Sequence, residues 1–388
     1  MVGPIRVLYL RDTTFVCGPG KTILNTFRTA DRAAVSITLG VPCSTTDSNA
    51  FVTAAKSIGL PVVDLPEEGR LDLGTTKRLA QIIKDGQFDL VQSHDFRTRR
   101  LASLACISAG VPHVTSVHGW IANSRKQRVT RVIDKMLIRR ARRIIAVSDR
   151  LVRDLVESGA PLERIALFPN AVLLDDYPPA MPADLARQEL GLPASSKCIG
   201  IVGRLSQEKR HDLFLEMAAA LASSDPDVVF LVVGEGPLRA DLQHLADRLK
   251  LGNRMVFLGH RSDMQRIYAT LNLLVLCSDT EGMPNVVLEA FAYERPVVAT
   301  RVGGVPEVVT DGENGLIVPP GQRAALTAAV RALVSDPDLA ARLGRQGRKT
   351  IEERFDFRRR TAAVEALYQS ILDVSRPQRG SLANAIDR

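Results

Sequence analysis

Short apolar runs, each too brief for a helix, alternate with segments of helical period along almost the whole chain. Strands that are apolar on both faces belong in parallel sheets covered by helices, and the alternation prescribes βαβ units. Strands are expected at 6–10, 35–39, 61–65, 89–93, 113–117, 144–147 and 165–168, with helices such as 75–84, 97–109 and 128–142 between them. A second series starts at 198–205 and continues at 228–233, 255–258, 273–276 and 296–299. Ligands of such sheets gather beyond the carboxyl ends of the strands. That rule draws attention to the loops at Gly18, His94, His118, Ser148 and Asn170 in the first series.

A chain of 388 residues exceeds what one hydrophobic core supports, so two domains are expected. The pattern dissolves between 173 and 196, where Pro178, Pro179 and Pro182 cluster, and this stretch reads as a linker. The expected division is an N-terminal α/β domain at 1–172, a linker at 173–196 and a second α/β domain at 197–354. A C-terminal helix at 355–375 and a polar tail at 376–388 follow.

The stretch 278–290, Ser-Asp-Thr-Glu-Gly-Met-Pro-Asn-Val-Val-Leu-Glu-Ala, carries the most chemistry. It leaves the strand at 273–276, breaks at Gly282 and Pro284, and enters a helix that Asn285 is expected to cap. Unpaired N–H groups at such a helix start attract phosphate, while Glu281 and Glu289 beside it accept hydrogen bonds from sugar hydroxyls. A ligand part phosphate and part sugar fits both. The plainer reading is a helix start whose acids favour its dipole. At the end of the strand opening the second domain, Arg204 and Lys209 suit a diphosphate, one as a planar fork and the other as a point charge.

In residue type and order, the Glu281-Gly282-Met283-Pro284-Asn285-Val286-Val287-Leu288-Glu289 run resembles the signature of retaining family 4 glycosyltransferases. Gly203 to Lys209 is similar to that family's diphosphate-binding strand end, and Gly303-Gly304-Val305-Pro306-Glu307 continues the pattern. The resemblance implies the GT-B architecture, two doubly wound Rossmann-like domains facing a cleft. It also implies sugar transfer from a nucleotide-diphosphate donor, such as a UDP- or GDP-sugar, to an acceptor hydroxyl with retention. The donor would then meet Gly18, Arg204, Lys209, Gly259, His260, Glu281, Gly282, Met283, Pro284, Asn285, Val286 and Glu289. Glu281 would position the sugar, Glu289 the ribose and His118 the sugar from the opposite wall, with Arg204 and Lys209 stabilising the leaving diphosphate. His94, Ser148 and Asn170 are the further candidates for an acceptor side in the N-terminal domain. The family mechanism passes the acceptor proton to the donor phosphate, so no protein nucleophile is assigned. Two departures are visible: Arg210 and Glu294 stand where the family often has glycine.

Other motifs are weaker. Gly20-Lys21-Thr22 imitates the end of a P-loop, but Phe15 stands where its first glycine would be. Gly234-Glu235-Gly236 opens a dinucleotide fingerprint that Arg239 leaves incomplete. Asp225-Pro226-Asp227 and Asp336-Pro337-Asp338 look like D-x-D metal motifs, yet Asp before Pro is also how helices are capped and begun. No metal and no cofactor beyond the donor are expected. His113, His211, His244 and His260 carry only a structural reading from the residues themselves.

Cys17, Cys43, Cys106, Cys198 and Cys277 are odd in number and scattered, neither a metal pair nor a disulfide framework. With no apolar run near the roughly 20 residues that span a bilayer, a cytoplasmic protein is expected. The net charge of +8 is concentrated between Arg125 and Arg143, where nine Lys or Arg accompany one acid, Asp134. Val129, Val132, Ile133, Met136 and Leu137 form an apolar stripe there, expected to be partly core. Arg128, Arg131, Lys135, Arg139 and Arg142 form a basic stripe. An anionic membrane surface, on the inner face, and a lipid-linked or saccharide acceptor suit that helix. A nucleic-acid groove would interleave aromatics, of which the segment has none, so nucleic acid is not an expected partner. A sugar-nucleotide epimerase of the same architecture is the rival enzyme reading.

Overall fold

The structure is a computed structural model describing residues 3–42, 49–65, 73–118 and 125–375, side chains at 73, 125–131 and 374–375 excepted. It divides into two compact units, Met1–Pro169 with Phe357–Arg388, and Asn170–Asp356.

In the first unit the elements run β1 (Ile5–Leu10), α1 (Gly18–Thr29), β2 (Val35–Val41), α2 (Ala50–Ser57), β3 (Val62–Asp64), α3 (Leu73–Asp85), β4 (Leu90–Ser93), α4 (Phe96–Ala109), β5 (His113–Val117), α5 (Arg125–Ile138), β6 (Arg143–Ala146), α6 (Asp149–Glu157) and β7 (Ile165–Leu167). The sheet order is β3-β2-β1-β4-β5-β6-β7, every pairing parallel. Strand order therefore reverses between β1 and β4, and the loops that follow them diverge to opposite faces. That is where a ligand crevice opens in a doubly wound sheet.

The second unit runs α7 (Ala183–Glu189), β8 (Lys197–Val202), α8 (His211–Ala222), β9 (Val228–Val233), α9 (Arg239–Arg248), β10 (Met255–Gly259), α10 (Met264–Thr270), β11 (Leu273–Leu276), α11 (Asn285–Ala292), β12 (Val297–Thr300), α12 (Val305–Val308), β13 (Leu316–Val318), α13 (Arg323–Ser335) and α14 (Pro337–Arg354). Its sheet order is β10-β9-β8-β11-β12-β13, again all parallel, with the reversal between β8 and β11. The last helix, α15 (Phe357–Ser375), belongs to the first unit. There Thr361 and Glu365 bond Thr29 and the Asp31 amide at the end of α1, at 2.6 and 2.8 Å.

The apolar runs are strands because each is covered on both faces: all four residues of β11 and five of the six in β9 are buried. Helix starts follow local chemistry. Asp95 and Thr98 close a reciprocal capping box on α4, and Gly110 ends that helix in the left-handed region at φ 72°.

Several expectations need correction. The stretch 173–196 is folded onto the second unit rather than free between units: Arg187 of α7 bonds the Thr270 carbonyl and Asn272. Asn170 also falls in that unit. Helix α5 stops at Ile138, because Arg139 to Arg142 form a turn into β6. Glu294 is left-handed at φ 56°, as is Arg210 at φ 51°, so both stand in the backbone conformation that favours glycine.

Candidate functional site

The reversal in the second sheet brings the end of β8 beside the end of β11. After β8, Arg204 is exposed and Lys209 ends a short 3-10 turn instead of opening the helix. The Lys209 ammonium lies 2.6 Å from Glu281 Oε1, and Ser278 Oγ donates to the same oxygen at 2.6 Å. The Ser278 carbonyl accepts from Thr300 of β12 at 2.6 Å, which ties the loop to the sheet. Gly303 presses on the loop from behind. At φ 52°, a Cβ there would sit 1.8 Å from the Glu281 carbonyl oxygen, and the Gly304 amide donates to Gly282 O at 2.8 Å. Only glycine lets the two backbones approach so closely, so the Gly-Gly pair fixes where Glu281 stands.

Asn285 does not cap α11. Pro284, in extended conformation, holds the cap position without a side-chain bond, and Asn285 is the first helical residue. Its amide oxygen is buried and without a hydrogen bond among the described residues. Asn170 Nδ2 donates to the Met283 carbonyl at 3.0 Å, and its own Oδ1 is equally buried and unbonded. The helix start so offers free backbone donors together with two acceptor oxygens awaiting hydroxyl or amine partners. Val286 follows on the first turn, with its carbonyl 3.4 Å from the Tyr268 hydroxyl.

Glu289, one turn on, is only 5% exposed. Tyr268 of α10 donates to its Oε2 at 2.8 Å. Tyr293 stacks on Tyr268 and leans on Tyr177, ring centroids 5.6 and 5.3 Å apart. Burial first, and the Glu289 carboxylate next, hold the Tyr268 hydroxyl protonated well above its ordinary range. Neither Tyr268 nor Ser278 was singled out from sequence. Their signal was weak: a tyrosine mid-helix and a serine after a strand fit many places.

In the first unit, the reversal between β1 and β4 brings Arg11 and His94 together. Arg11 Nη1 donates to the His94 carbonyl at 2.9 Å and lies 3.8 Å from Asp95. His118, after β5, has its ring centroid 6.1 Å from that of His94. Burial pushes the His118 imidazole down to about 3, helped by Arg11, and drives His94 well below its ordinary value. Both rings are neutral at pH 7. Gly18 opens α1 in the same region, for Cys17 Sγ accepts from Arg11 Nη2 at 3.4 Å. Arg11 was missed from sequence, although its place directly after a strand was the available signal.

Other candidates stand apart. Ser148 caps α6, accepting from the Leu151 amide at 3.3 Å, and has no other role on view. Gly259 ends β10 at φ 67° and His260 beside it is exposed, as is His244. Of the two Asp-Pro-Asp motifs, Asp336 caps α14. Asp225 does not cap a helix: it bonds Lys197 and the Asp227 amide in the turn before β9.

Residues 18–176 match the family described as Glycosyltransferase Family 4, and residues 183–350 match Glycosyl transferases group 1. The D-inositol 3-phosphate glycosyltransferase of Nocardia farcinica is 32% identical over 315 residues, 76% of this chain and 69% of that protein. This chain belongs to the group 1 glycosyltransferases. A second relative of this glycosyltransferase is the UDP-Gal:alpha-D-GlcNAc-diphosphoundecaprenol alpha-1,3-galactosyltransferase of Escherichia coli. It is 28% identical, and the alignment spans 76% of this chain and 79% of that one. The fold is that of Anabaena HepE, solved with UDP and glucose, at TM-score 0.84 and 22% identity over 94% of this chain and 100% of that one. The glycosyltransferase is accordingly of GT-B fold.

Proposed function

We propose that this glycosyltransferase moves a sugar from a nucleoside-diphosphate donor to an acceptor hydroxyl with retention of configuration. The observation that carries the reading is the convergence of Lys209, Ser278 and Glu281 at the strand reversal of the second unit, beside the open start of α11. Glu281 holds Lys209. Donor phosphates would compete for that ammonium and for the exposed Arg204, and Glu281 would turn to the sugar hydroxyls. Electrostatic stabilisation of the departing diphosphate is then supplied by two cations and by the backbone donors at 282–286. Glu289, fixed by Tyr268, suits the ribose diol. The unbonded oxygens of Asn170 and Asn285 suit hydroxyls of the donor. Gly259 and His260 would border the nucleobase. The relatives support a nucleotide sugar through the UDP-sugar in one name, and their acceptors differ, a lipid diphosphate in one and an inositol phosphate in the other.

No described helix is long and apolar enough to cross a membrane. The reading includes reversible attachment of α5 to an anionic membrane surface, and the structure changes its basis. Val132, Ile133 and Met136 are 61%, 45% and 49% exposed. The core side of the helix is instead Asp134, paired with buried Arg99, and Ile138. An exposed apolar face flanked by Lys135, Arg139 and Arg142 favours insertion into a headgroup region. Val129, Arg128 and Arg131 lie outside the described side chains.

Calorimetry with UDP and GDP, then with their sugars, tests the donor reading. Binding should be lost in an Arg204→Ala, Lys209→Ala double variant that retains the wild-type melting profile. Unchanged binding there would remove the second-unit site.

A further inference from the structure

A chain of buried hydroxyl, amide and imidazole groups crosses the first unit and ends on His94 with a hydrogen that has nowhere to go. Tyr368, on α15, donates its hydroxyl to Gln92 Oε1 at 2.5 Å, while Tyr9 lies 2.6 Å from the Tyr368 oxygen. With Tyr368 donating onward, Tyr9 must be the donor to it. Gln92 Oε1 is thus an acceptor, which leaves Gln92 Nε2 to face Ser116 Oγ at 3.0 Å and His94 Nε2 at 3.2 Å. An amide nitrogen only donates, so His94 Nε2 accepts and the ring hydrogen must sit on Nδ1. A cationic ring would set two donors against each other. Yet His94 Nδ1 is buried and has no hydrogen-bond partner among the described residues. Buried donors are rarely left unbonded, because each loses its water without a replacement.

Two neighbours show the same gap: Arg11 Nε and His118 Nε2 are also buried without a bond. All three residues follow adjacent strands, β1, β4 and β5, and Arg11 and His94 flank the reversal of strand order. Arg11, Arg360 and Arg99 all act on the His94 ring. Arg99 is matched by Asp134, and Arg11 stands at 3.8 Å from Asp95. Arg360 is 9% exposed, and the contacts it makes are the Pro169 carbonyl and the Phe357 ring. Glu365, on the next turn of α15, is engaged by the Asp31 amide.

We propose that Arg11 and His94 bind an anionic oxygen group, phosphate in the first instance, carried by the acceptor substrate, with Tyr368 as the positioning residue that holds His94 as an Nδ1–H donor. Calling its carrier the acceptor rests on the transfer reading above; the binding point itself does not. A planar cation and a fixed neutral N–H are both donors for such a group and themselves present no acceptor to it, which discriminates against neutral polyols. The C-terminal helix thereby acquires a part in substrate choice, since its Tyr368 reaches His94 through Gln92.

The test uses the full-length protein labelled with ¹⁵N histidine, with His94 signals assigned through His94→Gln. The free protein should show the Nδ1–H tautomer at His94, and inorganic phosphate should shift that resonance whereas glycerol should not. Arg11→Gln should weaken the response at least about tenfold, equivalent to about 1.4 kcal/mol. Tyr368→Phe should convert His94 to a tautomer mixture and weaken phosphate several-fold, with melting curves run to confirm folding. A sugar 1-phosphate and a short-chain alkyl phosphate, compared as competitors, tell a saccharide carrier from a lipid one. An Nε2–H tautomer in the free wild-type protein, needing no variant, overturns the proposal, as does a His94 resonance indifferent to phosphate or equally responsive to glycerol. Phosphate at the second unit leaves His94 unmoved, and failure of nucleotide binding there would sink the donor reading without altering this result.

Discussion

Glu281 and Glu289 are both carboxylates at the start of one helix, but their surroundings give them different work. Glu281 is held by an ammonium and a hydroxyl, whereas Glu289 is clamped from behind by Tyr268. Glu289→Ala should therefore weaken nucleotide binding about 10- to 100-fold, the worth of a charge-assisted hydrogen bond. Glu281→Ala should leave nucleotide affinity within a few-fold and lower the rate of sugar transfer. Calorimetry with the cognate nucleotide alone, set beside kcat for transfer, separates the two. Equal nucleotide affinity in wild type and Glu289→Ala would take that residue out of the site. At the same scale, activity should persist in EDTA. Asp336 spends its carboxylate on a helix cap and Asp225 on Lys197, so neither Asp-Pro-Asp motif is a metal cradle. Loss of transfer under chelation, restored by Mg²⁺ or Mn²⁺, would contradict this.

Helices make the next set of claims. Helix α11 ends with Glu294 left-handed at φ 56°, a conformation that disfavours a side chain. Glu294→Gly should stabilise the second unit, by at most about 1 kcal/mol, read as a raised denaturation midpoint with an unchanged slope. A fall in midpoint would mean that the glutamate side chain contributes more than its backbone strain costs. Gly344 of α14 packs on the Glu294 carbonyl, where a Cβ would come within 2.1 Å, so that backbone position itself has no room to relax. Helix α5 makes a different claim. Liposome sedimentation should need anionic lipid and decline as salt rises, each Lys or Arg near the surface being worth about 1 kcal/mol. Replacing Val132, Ile133 and Met136 with Asn should abolish what binding remains at high salt. Indifference to both lipid charge and these residues would leave α5 a solvated face.

For the molecule as a whole, the buried histidines set a pH dependence of stability. His113 and His118 are pushed down to about 3, both by burial first, with Arg99 next for His113 and Arg11 for His118. His211 is pushed down to about 4 by burial and then Lys209, and His94 is also lowered. The unfolded chain binds these protons at the ordinary value near 6.5, while the folded chain binds those of His113 and His118 only near about 3 and that of His211 near about 4, with His94 lowered in the same direction. Stability is thus fully present above about pH 6.5 and declines as pH falls from there toward 3 or 4. Each histidine contributes up to about 1.4 kcal/mol per pH unit. Melting temperature measured from pH 7 to pH 4.5 should fall, and less steeply in His113→Asn. A profile flat across that window would show the rings to be protonated in the fold.

The sequence by itself determined the two parallel sheets, because apolar runs of strand length can be buried on both faces only between helices. It also placed two carboxylates beside a helix start at 278–290, where residue type and order are local. Most strands were legible to within a residue or two, but β8 ends at Val202 rather than at 205 and β13 was not expected. Tertiary structure decided the rest, and in each case the deciding partner is far along the chain. The Glu281 loop is fixed from behind by Gly303. The face of α5 is set by Arg99 drawing in Asp134, which no stripe of apolar residues reveals, and so Val132, Ile133 and Met136 point outward. Residues 173–196 look like a linker because their prolines interrupt the periodicity, yet Arg187 fastens them to α10. The tautomer of His94 depends on Tyr368, 274 positions away (94 to 368). Periodicity reports which side of an element is apolar, whereas a buried polar group is placed by whichever distant partner satisfies it.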